Sequence, residues 1–123
     1  MSSFYISEDA TLDDVTNAEV GLLVAGGELD YEASPQLKEG LMGHIKSGRR
    51  RLVLDLSSAT FIDSTAIGVL VGTATRLREA GGSLAVVCTH EKVLQIFEIT
   101  GLDGMIALHR SRQEALSALA VAG

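Results

Sequence analysis

A single cysteine, Cys88, in 123 residues excludes an internal disulfide, so the fold must rest on its own core. Cysteine this scarce fits a reducing, cytoplasmic setting. Cations are also in short supply. Ten Lys and Arg stand against sixteen Asp and Glu, a formal net charge of −6. Nucleic-acid binding draws most of its affinity from a basic face, so this balance argues against DNA and RNA. It argues equally against an anionic membrane surface. No apolar run approaches the roughly 18 residues of a membrane helix. Met1-Ser2-Ser3-Phe4-Tyr5 lacks the basic-then-apolar order of a signal peptide. A small cytoplasmic protein is expected, with neither nucleic acid nor membrane as a partner.

Metal-binding and catalytic patterns are missing as well. The histidines, His44, His90 and His109, lie on separate elements without a second ligand at metal spacing, and read as partly exposed imidazoles. Cys88 ends an apolar run, and nothing nearby would lower its pKa. Gly26-Gly27 and Gly81-Gly82 have neither the spacing nor the lysine of a phosphate loop, and read as turns. No serine sits in a nucleophile elbow. The expectation is a protein that is not an enzyme, with no catalytic residue, no cofactor and no metal.

What is present is a rhythm of apolar strands and amphipathic helices. Phe4-Tyr5-Ile6 reads as a short edge strand, and Asp9 to Asn17 as a polar turn. Val20 to Ala25 is a buried strand ended by Gly26-Gly27, and Glu28-Leu29-Asp30-Tyr31 an acidic loop. Ser34-Pro35 starts a helix with serine as its cap, Leu37, Leu41, Met42 and Ile45 as its apolar stripe and Gly48 as its stop. Arg49-Arg50-Arg51 keeps the next turn soluble. Leu52 to Leu56 is the central strand, and Ser57 to Asp63 a connection pinned to the core by Phe61 and Ile62. A helix from Ser64 to Glu79 ends at Gly81-Gly82. Leu84 to Cys88 is a strand, Val93, Leu94 and Phe97 mark a helix stopped by Gly101, and Met105 to Leu108 is the last strand. Ser111-Arg112-Gln113-Glu114 has the capping-box pattern of a final helix, whose core face is Ala115, Leu116, Ala118 and Leu119. The pattern predicts one α/β domain with a mostly parallel mixed sheet of about four to five strands and four helices, mainly on one face.

Asp63-Ser64-Thr65 falls where the central strand region hands over to a helix, the usual place for chemistry in α/β proteins. Two readings are open there. Asp63 or Ser64 is a helix cap worth about 1 kcal/mol. Alternatively, Ser64 is exposed and phosphorylated, since a helix N-terminus tolerates a phosphate.

Three ordered segments resemble the anti-sigma factor antagonists of the STAS-domain family. They are Gly27-Glu28-Leu29-Asp30, Leu52-Val53-Leu54-Asp55-Leu56 and Phe61-Ile62-Asp63-Ser64-Thr65-Ala66-Ile67-Gly68. Gly81-Gly82 before a strand and the Thr100-Gly101-Leu102 turn also match, so the similarity spans Val20 to Leu119. The resemblance implies a STAS-type domain that, unphosphorylated, binds an anti-sigma factor serine kinase and so releases a sigma factor. The kinase ends the complex by phosphorylating the antagonist, and a serine phosphatase resets it. By motif, Ser64 is the phospho-acceptor and Thr65 a flanking minor site. Asp63, Ser64, Thr65 and Gly68 belong to the docking surface, and Asp30 to the partner-binding loop. The family usually has glycine where this chain has Ala66, a better helix former whose methyl would narrow a partner's approach. Outside its complexes the chain is expected to be a monomer. The alternative reading keeps the fold but makes the chain a small-ligand or nucleotide sensor, or a scaffold subunit of a stress-signalling complex. The missing phosphate loop counts against the sensor.

Overall fold

The computed structural model describes residues 3–8 and 20–122, with side chains to residue 119. The polar stretch Asp9 to Asn17 lies outside the described residues. In chain order the elements are β1 (Phe4–Glu8), β2 (Val20–Leu29), α1 (Ser34–Lys46), β3 (Arg51–Asp55), β4 (Ala59–Ile62), α2 (Ser64–Glu79) and β5 (Ser83–Val87). Then come α3 (Glu91–Thr100), a 3-10 turn at Leu102–Gly104, β6 (Ala107–His109) and α4 (Arg112–Ala122). The strands lie in the order β1-β2-β3-β5-β6, with β4 paired to β2. β1 is antiparallel to β2, and every other pairing is parallel. Parallel neighbours need crossovers long enough to return the chain, and the helices supply them. The α/β class, the mixed and mostly parallel sheet and the four helices are as the sequence implies.

Strand alternation sorts the core into two layers. Leu23 and Ala25 of β2, Leu52 and Leu54 of β3, and Leu84 and Val86 of β5 share one cluster. Leu37 and Leu41 of α1, Leu70 and Leu77 of α2, and Val93 and Phe97 of α3 pack into the same cluster. The intervening residues Leu22, Val53, Ala85 and Val87 meet Ala115 and Leu119 of α4 on the opposite face. Helix α4 follows the last strand and crosses over to no other, so it is free to cover the second face.

β2 is longer than its sequence suggests. It does not end at Gly26-Gly27 but runs on to Leu29. Gly27 has φ +82°, which side chains rarely adopt, and a Cβ there would strike the Ser3 carbonyl. A Cβ on Gly26 would strike the Tyr5 ring. Both glycines therefore lie inside the strand rather than in a turn; the register against β4 shifts between Gly27 and Glu28, with Thr60 as the extra residue on the β4 side. Through Val20 to Val24, β2 pairs with β3. From Gly27 it pairs with β4 instead, Gly27 with Ala59 and, after the shift, Glu28 and Leu29 with Phe61 and Ile62. β4 is the strand beyond the four to five that the sequence implies. Its burial pattern, with Ala59 and Ile62 in and two residues out, is too short to register as alternation. The expectation that Phe61 pins this segment holds only for Ile62, which is 2% exposed; Phe61 is 45% exposed.

The histidines are not all partly exposed. His44 of α1 is buried, with Nε2 2.7 Å from Glu8 Oε2 and Nδ1 2.6 Å from Arg49 Nη1. Arginine can only donate, so Nδ1 accepts from Arg49, while Nε2 lies close to the Glu8 carboxylate without hydrogen-bond geometry. One arginine of the basic run is therefore tied back to α1 through His44.

A second polar link holds α4. Asp55, at the end of β3, is buried; its Oδ1 accepts from the Ser57 hydroxyl (2.5 Å) and the Ser57 N–H (2.9 Å). Arg112 Nε lies 2.5 Å from Asp55 Oδ2. Burial alone would push the carboxyl pKa up, but the Ser57 and Arg112 hydrogen bonds and the guanidinium charge outweigh it and leave the pKa lowered. A carboxylate whose pKa is lower in the folded state stabilises above its unfolded value and loses that contribution as pH falls through the folded one. Arg112→Met is therefore expected to destabilise the fold by about 2 kcal/mol at neutral pH. In urea titrations the difference from the unaltered chain should shrink below about pH 4. A difference independent of pH would show that Asp55 is not the group involved.

Candidate functional site

The site is assembled by the far end of β2. Leu29 pairs with Ile62, and the Asp63 N–H donates to the Leu29 carbonyl at 3.1 Å. Asp30 and Asp63 therefore leave neighbouring strands side by side, one into α1 and the other into α2. Segments that are separate in sequence form one rim at the carboxyl ends of parallel strands, where α/β sheets expose their functional groups.

Asp30 is half-buried and committed to its own turn. Its Oδ1 accepts from the N–H groups of Glu32 (3.0 Å) and Ala33 (3.3 Å). The Ser34 hydroxyl donates to the Asp30 carbonyl at 3.0 Å. This corrects the expected start of α1: the N-cap position is Ala33, which makes no side-chain cap, and Ser34 is already helical. Asp30 is the residue that organises the entry, one turn earlier.

At α2 the structure decides between the two capping candidates. Asp63 takes the N-cap position in extended conformation (φ −105°, ψ 179°), and its Oδ1 accepts from the Ala66 N–H at 3.0 Å. Ser64 is thus the first helical residue rather than the cap. It is exposed, and its hydroxyl has no hydrogen bond among the described residues. Thr65 beside it is exposed too. The first-turn N–H groups that Asp63 leaves unused, together with the positive end of the helix dipole, make the surroundings of Ser64 Oγ hospitable to negative charge. Gly68, one turn on, is exposed with open space where a Cβ would stand.

Ala66 does not narrow a partner's approach. Its side chain is fully buried in the cluster beneath α2, so its methyl faces the core. The methyl that sets this chain apart from the resemblance is thereby absorbed inside the domain. Sequence reasoning also missed two aromatic residues on the rim. Phe61 of β4 and Tyr31 in the turn after β2 are 45% and 64% exposed. For Phe61 the available signal was its neighbour: Ile62 is buried, so an adjacent strand residue points the other way.

The arrangement offers an exposed hydroxyl to which no base among the described residues is hydrogen-bonded. Among the described residues no three His, Cys, Asp or Glu side chains group as a metal ion would require. The Cys88 thiol is buried, which pushes its pKa up, the opposite of an activated nucleophile.

A family model described as the STAS domain matches residues 11–115. An anti-sigma-B factor antagonist of Staphylococcus aureus (strain NCTC 8325) is 31% identical over 88 residues, covering 72% of this chain and 82% of that protein. An anti-sigma-B factor antagonist of Staphylococcus epidermidis is 26% identical over 102 residues, covering 83% of this chain and 94% of that protein. The crystal structure of an anti-sigma factor antagonist from Mycobacterium paratuberculosis superposes with a TM-score of 0.81 at 25% identity. It covers 95% of this chain and 94% of that one.

Two substitutions test how the site is held. Asp63→Ala should lower stability by about 1 kcal/mol in urea denaturation, with Asp63→Ser recovering most of it. Ala66→Gly, which removes a buried methyl and a good helix former, should cost about 1–2 kcal/mol. A neutral or stabilising Ala66→Gly would mean that the methyl is not buried in the core.

Proposed function

The chain belongs to the STAS domain family, and on that premise we propose that it is an anti-sigma factor antagonist switched by phosphorylation of Ser64. Unphosphorylated, it binds an anti-sigma factor that is also a serine kinase, and the sigma factor is released. Phosphorylation of Ser64 ends that complex, and a serine phosphatase restores it. The protein is then the substrate of another protein's active site and performs no catalysis itself. Asp30, Asp63, Ser64, Thr65 and Gly68 form its docking surface, with Thr65 as a minor acceptor, and it is a monomer outside its complexes.

The observation that carries this reading is the exposed, unbonded hydroxyl of Ser64 beside a helix start that Asp63 already caps. A serine that did the capping would be tied to the backbone and withdrawn from a kinase. Here the helix survives modification of Ser64 because its cap lies one residue earlier. The anti-sigma-B factor antagonists to which the chain is similar support the choice of partner.

The size of the effect suits a switch. Phosphoserine carries about −1.5 to −2 charges near neutral pH. At an effective dielectric of about 20, one like charge at 4 Å is worth roughly 4 kcal/mol. Driving a complex from 99:1 to 1:99 takes roughly 5.5 kcal/mol. Repulsion from an acid or a nucleotide phosphate on the partner, together with the cost of desolvating the phosphate, reaches that range without any refolding. The phosphate joins a rim that already carries Asp30 and Asp63, which adds to its local negative charge.

Intact-mass measurement with each purified candidate kinase and ATP should give one added phosphate, mapped to Ser64. Ser64→Ala should still bind the kinase but resist release by ATP, and Ser64→Asp should bind poorly. Phosphorylation of Ser64→Ala to the wild-type extent would remove the site assignment.

A further inference from the structure

We propose that a groove between α1 and α2, running away from Ser64, is a second part of the docking surface and receives an acidic amphipathic helix of the anti-sigma factor. The proposal rests on the functional reading above and extends it to a surface outside the phospho-acceptor motif.

Residues 64, 68, 72 and 76 follow one another at four-residue spacing, so they form a single row along α2, and all are exposed. Such rows are normally the ridges by which helices interlock. Here the two central members are Gly68 and Gly72, and a Cβ on either would meet nothing within 4 Å. The ridge is missing, and a trough stands in its place. Nothing inside the domain requires these glycines, although each weakens an exposed helix relative to alanine. A surface that some other helix must approach closely does require them.

The trough is a groove of about 310 Å³ lined by Lys38 and Met42 of α1 and by Gly68, Val69, Gly72, Thr73 and Arg76 of α2. Its floor is apolar or tied up, since the Thr73 hydroxyl donates to the Val69 carbonyl at 2.8 Å. Its charges are both cations. Arg76 rests its guanidinium 3.4 Å from Met42 Sδ, and neither Lys38 nor Arg76 has an ion pair among the described residues. No acid lines the groove, in a chain whose net charge is −6. That local reversal of sign selects an acidic partner segment and sets its position along the groove. At 1.5 Å rise per residue, Ser64 and Arg76 stand about 18 Å apart along α2, the length of a three-turn helix. The groove is continuous with the Ser64 end through Gly68, so one partner can cover both.

Binding to each anti-sigma factor kinase of the source genome, purified singly, tests this by calorimetry at low and high salt. Gly72→Leu fills the trough, and Lys38→Glu combined with Arg76→Glu reverses its charge. Each is expected to weaken binding at least tenfold, and the charge-reversed variant to lose most of the salt dependence. Gly72→Ala should raise the melting temperature by about 3–5 °C while weakening binding. Melting curves report whether each variant folds, and the charge-reversed one alters only exposed groups. Full affinity in folded Gly72→Leu and charge-reversed proteins would overturn the groove and leave the Ser64 reading standing. Failure of the unaltered chain to bind or be phosphorylated by any of the kinases would overturn both. Concentration-dependent dimerisation abolished by Gly72→Leu would assign the groove to a second copy of the chain, against the proposal.

Discussion

One hydrogen bond, from the Asp63 N–H to the Leu29 carbonyl, sits at the centre of the functional end of this molecule. It closes the short ladder between β2 and β4, and without that ladder Asp30 and Ser64 would belong to separate loops. The ladder itself depends on Gly27. Only a residue at ease with φ +82° and without a Cβ lets β2 pass the Ser3 carbonyl and continue past β3 to a second partner, Gly27 itself pairing with Ala59 of β4. The string Gly27-Glu28-Leu29-Asp30 thus has a mechanical meaning. Its glycine redirects the strand, its leucine seals the core and its aspartate shapes the turn into α1.

Within that frame the two aspartates divide the backbone work so that the hydroxyl beside them stays free. Asp30 satisfies the N–H groups of its turn, and Asp63 satisfies one at the start of α2. Both are held by neutral donors on the main chain, so neither depends on a side-chain partner that a docking protein would have to displace. Ser64 inherits a fixed position from Asp63 without sharing its bond. Buried Ala66 fixes the same turn from beneath, which makes the start of α2 rigid on both sides.

Most of the architecture was legible because long apolar runs and helix punctuation are local signals. The bounds of α2, the Gly101 stop and the Ser111 cap all come from residues within a turn of the feature they control; Ser111 Oγ accepts the Glu114 N–H at 3.1 Å. What was not legible arises from pairing between distant segments. β4 is too short to announce itself and exists because β2 reaches it. Gly26-Gly27 looks like any turn until Tyr5 of the edge strand and Ser3 just before it are laid against it. His44 reads as an ordinary helix residue because Glu8, to which it points, lies 36 positions away. The choice between Asp63 and Ser64 as cap was likewise open in the sequence, since both residue types cap well and only geometry separates them.

A domain built this way favours a switch that acts on the partner rather than on the fold. The sheet is covered on both faces, α2 is anchored by Leu70 and Leu77 in the core, and its cap is Asp63, one residue before Ser64. A phosphate on Ser64 would gain from the free N–H groups of the first turn and would displace nothing. Free energy that might have gone into rearranging the domain remains available to repel whatever is docked on it. The glycine row along α2 follows the same logic from the other side. On the docking proposed above, helix stability is given up where a partner would come close, and the buried strands hold the fold.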